Sequence, residues 1–84
     1  MNIKDFLKRL FNLPEVDENG TKRWYNKNRQ LHRDDDKPSV IYADGRKEWW
    51  KNGQLHRDGD KPAIIFANGE EEYYNNGVQY EPHR

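Results

Sequence analysis

Eighty-four residues with 15 basic and 15 acidic side chains and no cysteine make one small, electroneutral domain. The charge balance argues against a general nucleic-acid binder, the missing thiol removes disulfides and thiolate metal sites, and no apolar run reaches membrane-spanning length. Apolar residues are only 32% of the chain, yet aromatics are 13%, which points to a thin fold with few, large core positions rather than to disorder.

Residues 1–13 read as an amphipathic helix. Ile3, Phe6, Leu7, Leu10 and Phe11 fall at i, i+3, i+4, i+7 and i+8, one apolar stripe. Lys4, Asp5, Lys8 and Arg9 form the wet face, and Pro14 stops the helix. Three turns are too few to stand alone, so the stripe is expected to dock, first of all on the chain's own sheet. The net charge of the segment is low for an electrostatic anchor, which argues against a membrane. With apolar residues broken by charges and no small-residue cleavage site, the segment is not read as a secretory signal.

Residues 14–20 read as a linker, 21–81 as a repeat sheet and 82–84 as a tail. LHRDDDKPSVIYADGRKEWWKNGQ (31–54) is followed by LHRDGDKPAIIFANGEEEYYNNGV (55–78), identical at 13 of 24 positions. A partial copy, with Gly20 and Trp24 matching Gly45 and Trp49, precedes them, and VQYEPHR closes the chain. Asp44-Gly45, Asn52-Gly53, Asn68-Gly69 and Asn76-Gly77 all suit two-residue type I′ hairpin turns. The flanks are rich in Val, Ile, Tyr, Phe and Trp. Strands are therefore predicted near 21–26, 30–33, 39–43, 46–51, 54–57, 63–67, 70–75 and 78–81. The fold class is mainly β, an antiparallel meander of 24-residue hairpin repeats preceded by one amphipathic helix.

Two-residue turns set a register. Trp50 then opposes Leu55, Trp49 opposes His56 and Val40, and Ile41 opposes Glu48. One face holds the aliphatic and alanine positions and is the expected seat of the helix. The other holds Val40, Ile64 and a stripe of aromatic and histidine side chains, Trp24, His32, Tyr42, Trp49, His56, Phe66, Tyr73 and Tyr80. This second set is the predicted partner-binding stripe, open to another protein or to a second copy unless the sheet curls to bury it.

His-Arg-Asp with a following Lys-Pro looks at first like a kinase catalytic loop. The downstream Asn, the Asp-Phe-Gly and the glycine-rich loop are all missing, and a catalytic loop would not be duplicated. Arg57 is instead expected to pair with Glu48 across the strands. The aspartates at 34–36, 58 and 60 do not match a calcium loop, and His32 with His56 make a poor zinc site. No metal, cofactor or catalytic residue is predicted.

WWKNGQLHRDG…ANG resembles the membrane-occupation-and-recognition-nexus (MORN) repeat, and more closely its bacterial and phage variants. Trp49, Asn52, Gly53, His56, Gly59 and Gly69 carry the likeness, with Trp24, Asn28, Gly45, Tyr73, Asn76 and Gly77 in the neighbouring units. The resemblance spans residues 17–81 and implies a meander of hairpins with a non-catalytic recognition surface. It also implies an inhibitor, antitoxin or phage anti-defence role in the cytoplasm of a bacterial host. The alternative is a membrane-associated or oligomeric scaffold led by the helix.

Overall fold

The computed structural model describes residues 2–82. One helix, α1 (Ile3–Leu10), is followed by nine short strands: β1 (Glu15–Val16), β2 (Lys22–Arg23), β3 (Val40–Ile41), β4 (Lys47–Glu48), β5 (Trp50–Lys51), β6 (Gln54–Leu55), β7 (Ile64–Ile65), β8 (Glu71–Asn75) and β9 (Val78–Tyr80). Seven strands form an antiparallel sheet in the order β1-β2-β3-β4-β7-β8-β9, and β5 pairs with β6 beside it. The body is elongated, 47 × 24 × 17 Å.

Asn2 caps α1, its side chain accepting from the Asp5 amide at 2.9 Å. The helix ends in a Schellman motif. Asn12 turns left-handed (φ 53°), its amide donates to the Arg9 carbonyl, and the Leu13 amide donates to the Lys8 carbonyl. The same conformation recurs at Asp36 and Asp60, both at φ 56°. These three residues are 24 apart, each followed two places later by Pro14, Pro38 or Pro62. The predicted linker at 14–20 is thus the opening of a first repeat and carries β1, which the sequence reading missed.

Each repeat holds two hairpins, and their Asx-Gly turns differ. Asn52-Gly53 and Asn76-Gly77 have positive φ at both residues, the predicted type I′ geometry. At Asp44-Gly45 and Asn68-Gly69 only the glycine is left-handed. There the Tyr42 amide donates to the Arg46 carbonyl and the Gly45 amide to the Tyr42 carbonyl, a three-residue loop. The Asp44 carboxylate and the Asn68 side-chain carbonyl accept from the amides two residues on, at 2.9 and 3.0 Å. The extra residue moves the register by one: Val40 faces Glu48 and Ile41 faces Lys47, not Trp49 and Glu48 as predicted. Trp50 opposes Leu55 as expected.

The strand predicted at 46–51 breaks at Trp49. Its amide donates to the Ala63 carbonyl, and its own carbonyl accepts from His56. Trp24 makes the same bonds to Ser39 and His32. These junction tryptophans, with Val40, Ala63 and Ile64, are the buried apolar core. Four of those five belong to the face predicted to stay open, so that face curls inward and becomes the core.

Candidate functional site

The predicted aromatic stripe resolves into repeat joints rather than one binding surface. Trp24 and Trp49 are 6% and 7% exposed. The Arg33 guanidinium lies 3.7 Å above the Trp24 ring and that of Arg57 3.9 Å above Trp49, close enough for cation–π attraction. Each arginine also donates to a proline carbonyl, Pro38 or Pro62, at 3.1 Å. The indole Nε1 groups donate backwards to the left-handed residues, Trp24 to the Asn12 carbonyl at 3.0 Å and Trp49 to the Asp36 carbonyl at 3.1 Å.

The histidines fasten one repeat to the next. His32 Nδ1 accepts from the Asn52 amide at 3.1 Å, and His56 Nδ1 from the Asn76 amide at 3.0 Å. Because an amide can only donate, Nδ1 is the acceptor and the ring proton sits on Nε2. Nε2 then donates to Asp34 or Asp58, at 2.9 and 2.7 Å. The hydrogen bond from His56 is the main reason the Asp58 carboxyl lies below its ordinary value, with Lys51 adding to it. His-Arg-Asp is therefore a peg, a lid and an orienting carboxylate, which accounts for its duplication.

The remaining predicted residues stay half-buried and apart. Arg46 reaches over both Tyr42 and Phe66, with 5.2 and 4.8 Å to the ring centres, while Tyr73 and Tyr80 meet edge-to-face at 5.9 Å at the far end of the sheet. Burial is the largest cause raising the Tyr42 phenol, and the Glu48 carboxylate beside it adds to the effect. Arg57 does not pair with Glu48 as predicted. The shifted register gives Glu48 to Arg46, while Arg57 reaches Asp36 through Nε at 2.9 Å and Nη2 at 3.3 Å.

Asp36 also accepts from Lys61 at 2.9 Å. The hydrogen bonds from Arg57 and then Lys61 hold its carboxyl at about 2, against an ordinary 3.8. A carboxyl depressed on folding adds stability that is complete above its unfolded value and is lost as pH falls through its folded one. Stability is therefore expected to decline between about pH 4 and pH 2. Asp36→Asn should flatten that limb in acid titrations followed by circular dichroism. The effect is best read at low salt, because the carboxylate is 43% exposed.

The first joint lacks this carboxylate. Asn12 stands where Asp36 does, and Arg33 Nε is buried without a hydrogen-bond partner. Burial alone pushes the Arg33 guanidinium down. Asn12→Asp is expected to stabilise the protein by about 0.5 to 1 kcal/mol, a few tenths being lost to the helix C-terminus. Thermal denaturation checks it, and an unchanged or lower midpoint contradicts it.

The stripe of α1 does not dock on the sheet. No α1 residue is buried. Ile3, Phe6, Leu7, Leu10 and Phe11 are between 41% and 73% exposed. Lys8, on the polar side, is the most covered residue of the helix. The helix thus turns its polar side toward the protein and its apolar side away. Leu13 and Val16 are also more than half exposed and extend the apolar surface past the helix. Sequence reading had placed neither there, although the 24-residue spacing of the prolines could have placed β1.

Among the described residues no cluster of three metal-ligating side chains occurs, and no helix is long and apolar enough to cross a membrane. The class defined is a mainly β meander of paired hairpins with a short, uncovered amphipathic helix. No protein family, curated protein or solved structure matches the chain.

Proposed function

We propose that this protein is a non-catalytic protein-binding module whose contact surface is the apolar side of α1. One observation carries the reading: five large apolar side chains stand on one side of a helix that turns its other side to the protein. Exposed apolar surface of this extent is uncommon on a monomer and favours a partner that removes it from water. An amphipathic helix laid into an apolar groove is a recurring recognition mode. Lys4 beside the stripe favours a groove with an acidic residue on its rim. The half-buried joints serve as the rigid support for that helix. An inhibitor or antitoxin-type role in the cytoplasm, as the repeat resemblance implies, fits a small module of this kind.

The test is a Phe6→Ser/Leu10→Ser double variant. Neither side chain is buried, so the thermal midpoint should stay within a few degrees of wild type. Stoichiometric capture of the partner protein should be lost. A variant that folds and still retains the partner defeats the reading. Loss of self-association instead, seen by sedimentation, would favour the oligomeric scaffold.

A further inference from the structure

Between α1 and the first hairpin lies a cleft of about 370 Å³. In the later joints a histidine reaches up to the amide of an Asn-Gly turn. The residue 24 places before His32 is Lys8. It lies in the helix and lines this cleft together with Asn26, Lys27 and Arg29 of the turn over Asn26–Gln30. Five cations line the cleft, Lys8, Arg9, Arg23, Lys27 and Arg29, against the carboxylates of Asp5 and Glu15. Arg29 is set in place, lying 4.3 Å over the Tyr25 ring and reaching Glu15 through both terminal nitrogens, at 2.9 and 3.3 Å. Arg23 is held by Asp17 at 2.9 Å.

We propose that this cleft binds an acidic peptide segment, its carboxylates received by Lys8 and Lys27 and its backbone lying along Tyr25, with Arg23 and Arg29, already held by Asp17 and Glu15, adding to the positive field. The proposal deepens the reading above, because it supplies the chemistry of a second part of the partner. Positioned arginines and lysines recognise carboxylates through charge-assisted hydrogen bonds. The rest of the chain selects against longer polyanions. Residues 1–33 hold eight basic and four acidic side chains, whereas residues 34–84 hold seven and eleven. A nucleic acid leaving the cleft would meet the acidic part and be repelled. A flat bilayer cannot enter a concave joint.

The probe is a fluorescein-labelled hexaglutamate peptide, titrated with full-length protein and read by anisotropy at low salt. Saturable binding is expected. Lys8→Glu/Lys27→Glu should weaken it at least tenfold, and Lys8→Gln/Lys27→Gln, which avoids adding charge, by several-fold. Lys47→Glu/Lys51→Glu makes the same charge change outside the cleft and should stay within about twofold, given screening over a Debye length of ~10 Å at 0.1 M salt. No saturable binding, or equal loss in the two charge-reversed variants, would overturn the proposal. So would tighter binding of a twelve-nucleotide oligothymidine, or displacement of the peptide by equimolar inorganic phosphate. The peptide is read without the partner, so this outcome is scored separately from capture by the apolar side of α1.

Discussion

Trp49→Ala is expected to cost about 3 to 5 kcal/mol, enough to unfold much of the protein at room temperature. Among the described residues the apolar core has five buried members, and Trp49 is one of its two large ones. A domain of this size has a net stability of only ~5 to 15 kcal/mol, at the lower end for so small a core. The substitution removes the ring on which Arg57 rests and the indole N–H that the Asp36 carbonyl accepts. It also opens the point where the sheet hairpin passes into the β5–β6 hairpin. Trp49→Phe keeps a ring under Arg57 and loses the hydrogen bond, so a cost of roughly 1 kcal/mol beyond the change in packing is expected. Urea denaturation followed by circular dichroism separates the two variants. Wild-type stability in Trp49→Ala would mean that Trp49 is not core and would return it to the surface as a binding residue.

Glu48→Ala is the second large effect. Its carboxylate, 5% exposed, accepts from Arg46 at 2.6 Å, from the Trp50 indole at 2.9 Å and from the Tyr42 hydroxyl at 3.4 Å. Removing it leaves three donors without their acceptor, one of them a cation whose Nε is already buried and unpartnered. Breaking a buried pair costs ~3 to 5 kcal/mol. Arg46 keeps 35% of its side chain exposed, so water recovers part of that, and about 2 to 3 kcal/mol is expected. Glu48→Gln retains an acceptor for Trp50 and Tyr42 and should cost about half as much. Equal midpoints for the two variants would show that the charge of Glu48, not its acceptor oxygens, sets the effect.

The 24-residue period, the helix and the Asn52-Gly53 and Asn76-Gly77 turns were legible in the sequence because each has a local cause. The failures were also specific. Asp44-Gly45 has the same dipeptide pattern as Asn52-Gly53, yet its carboxylate accepts from the Arg46 amide and opens a three-residue loop. Dipeptide identity cannot separate these turns, and one residue of register decides whether Glu48 or Trp49 faces Val40. The burial of the tryptophans depends on Arg33 and Arg57 folding back over them, a contact between elements that periodicity does not report. The stripe of α1 was legible, but not which way it faces. Asn12 and Pro14, placed 24 residues before Asp36 and Pro38, are the sequence signal that ties the helix end into the first repeat. Lys8 stands where the later joints carry their histidine peg, and it lines the cleft beneath α1.

Whether the apolar side of α1 meets another protein is read by site-specific photo-crosslinking from position 6 in the native host cell, with benzoylphenylalanine in place of Phe6 and, as a control, in place of exposed Val78. One discrete adduct with a different protein is expected from position 6 and none from position 78. An adduct of twice the chain's own mass, a lipid adduct, or the same products from both positions would contradict that expectation.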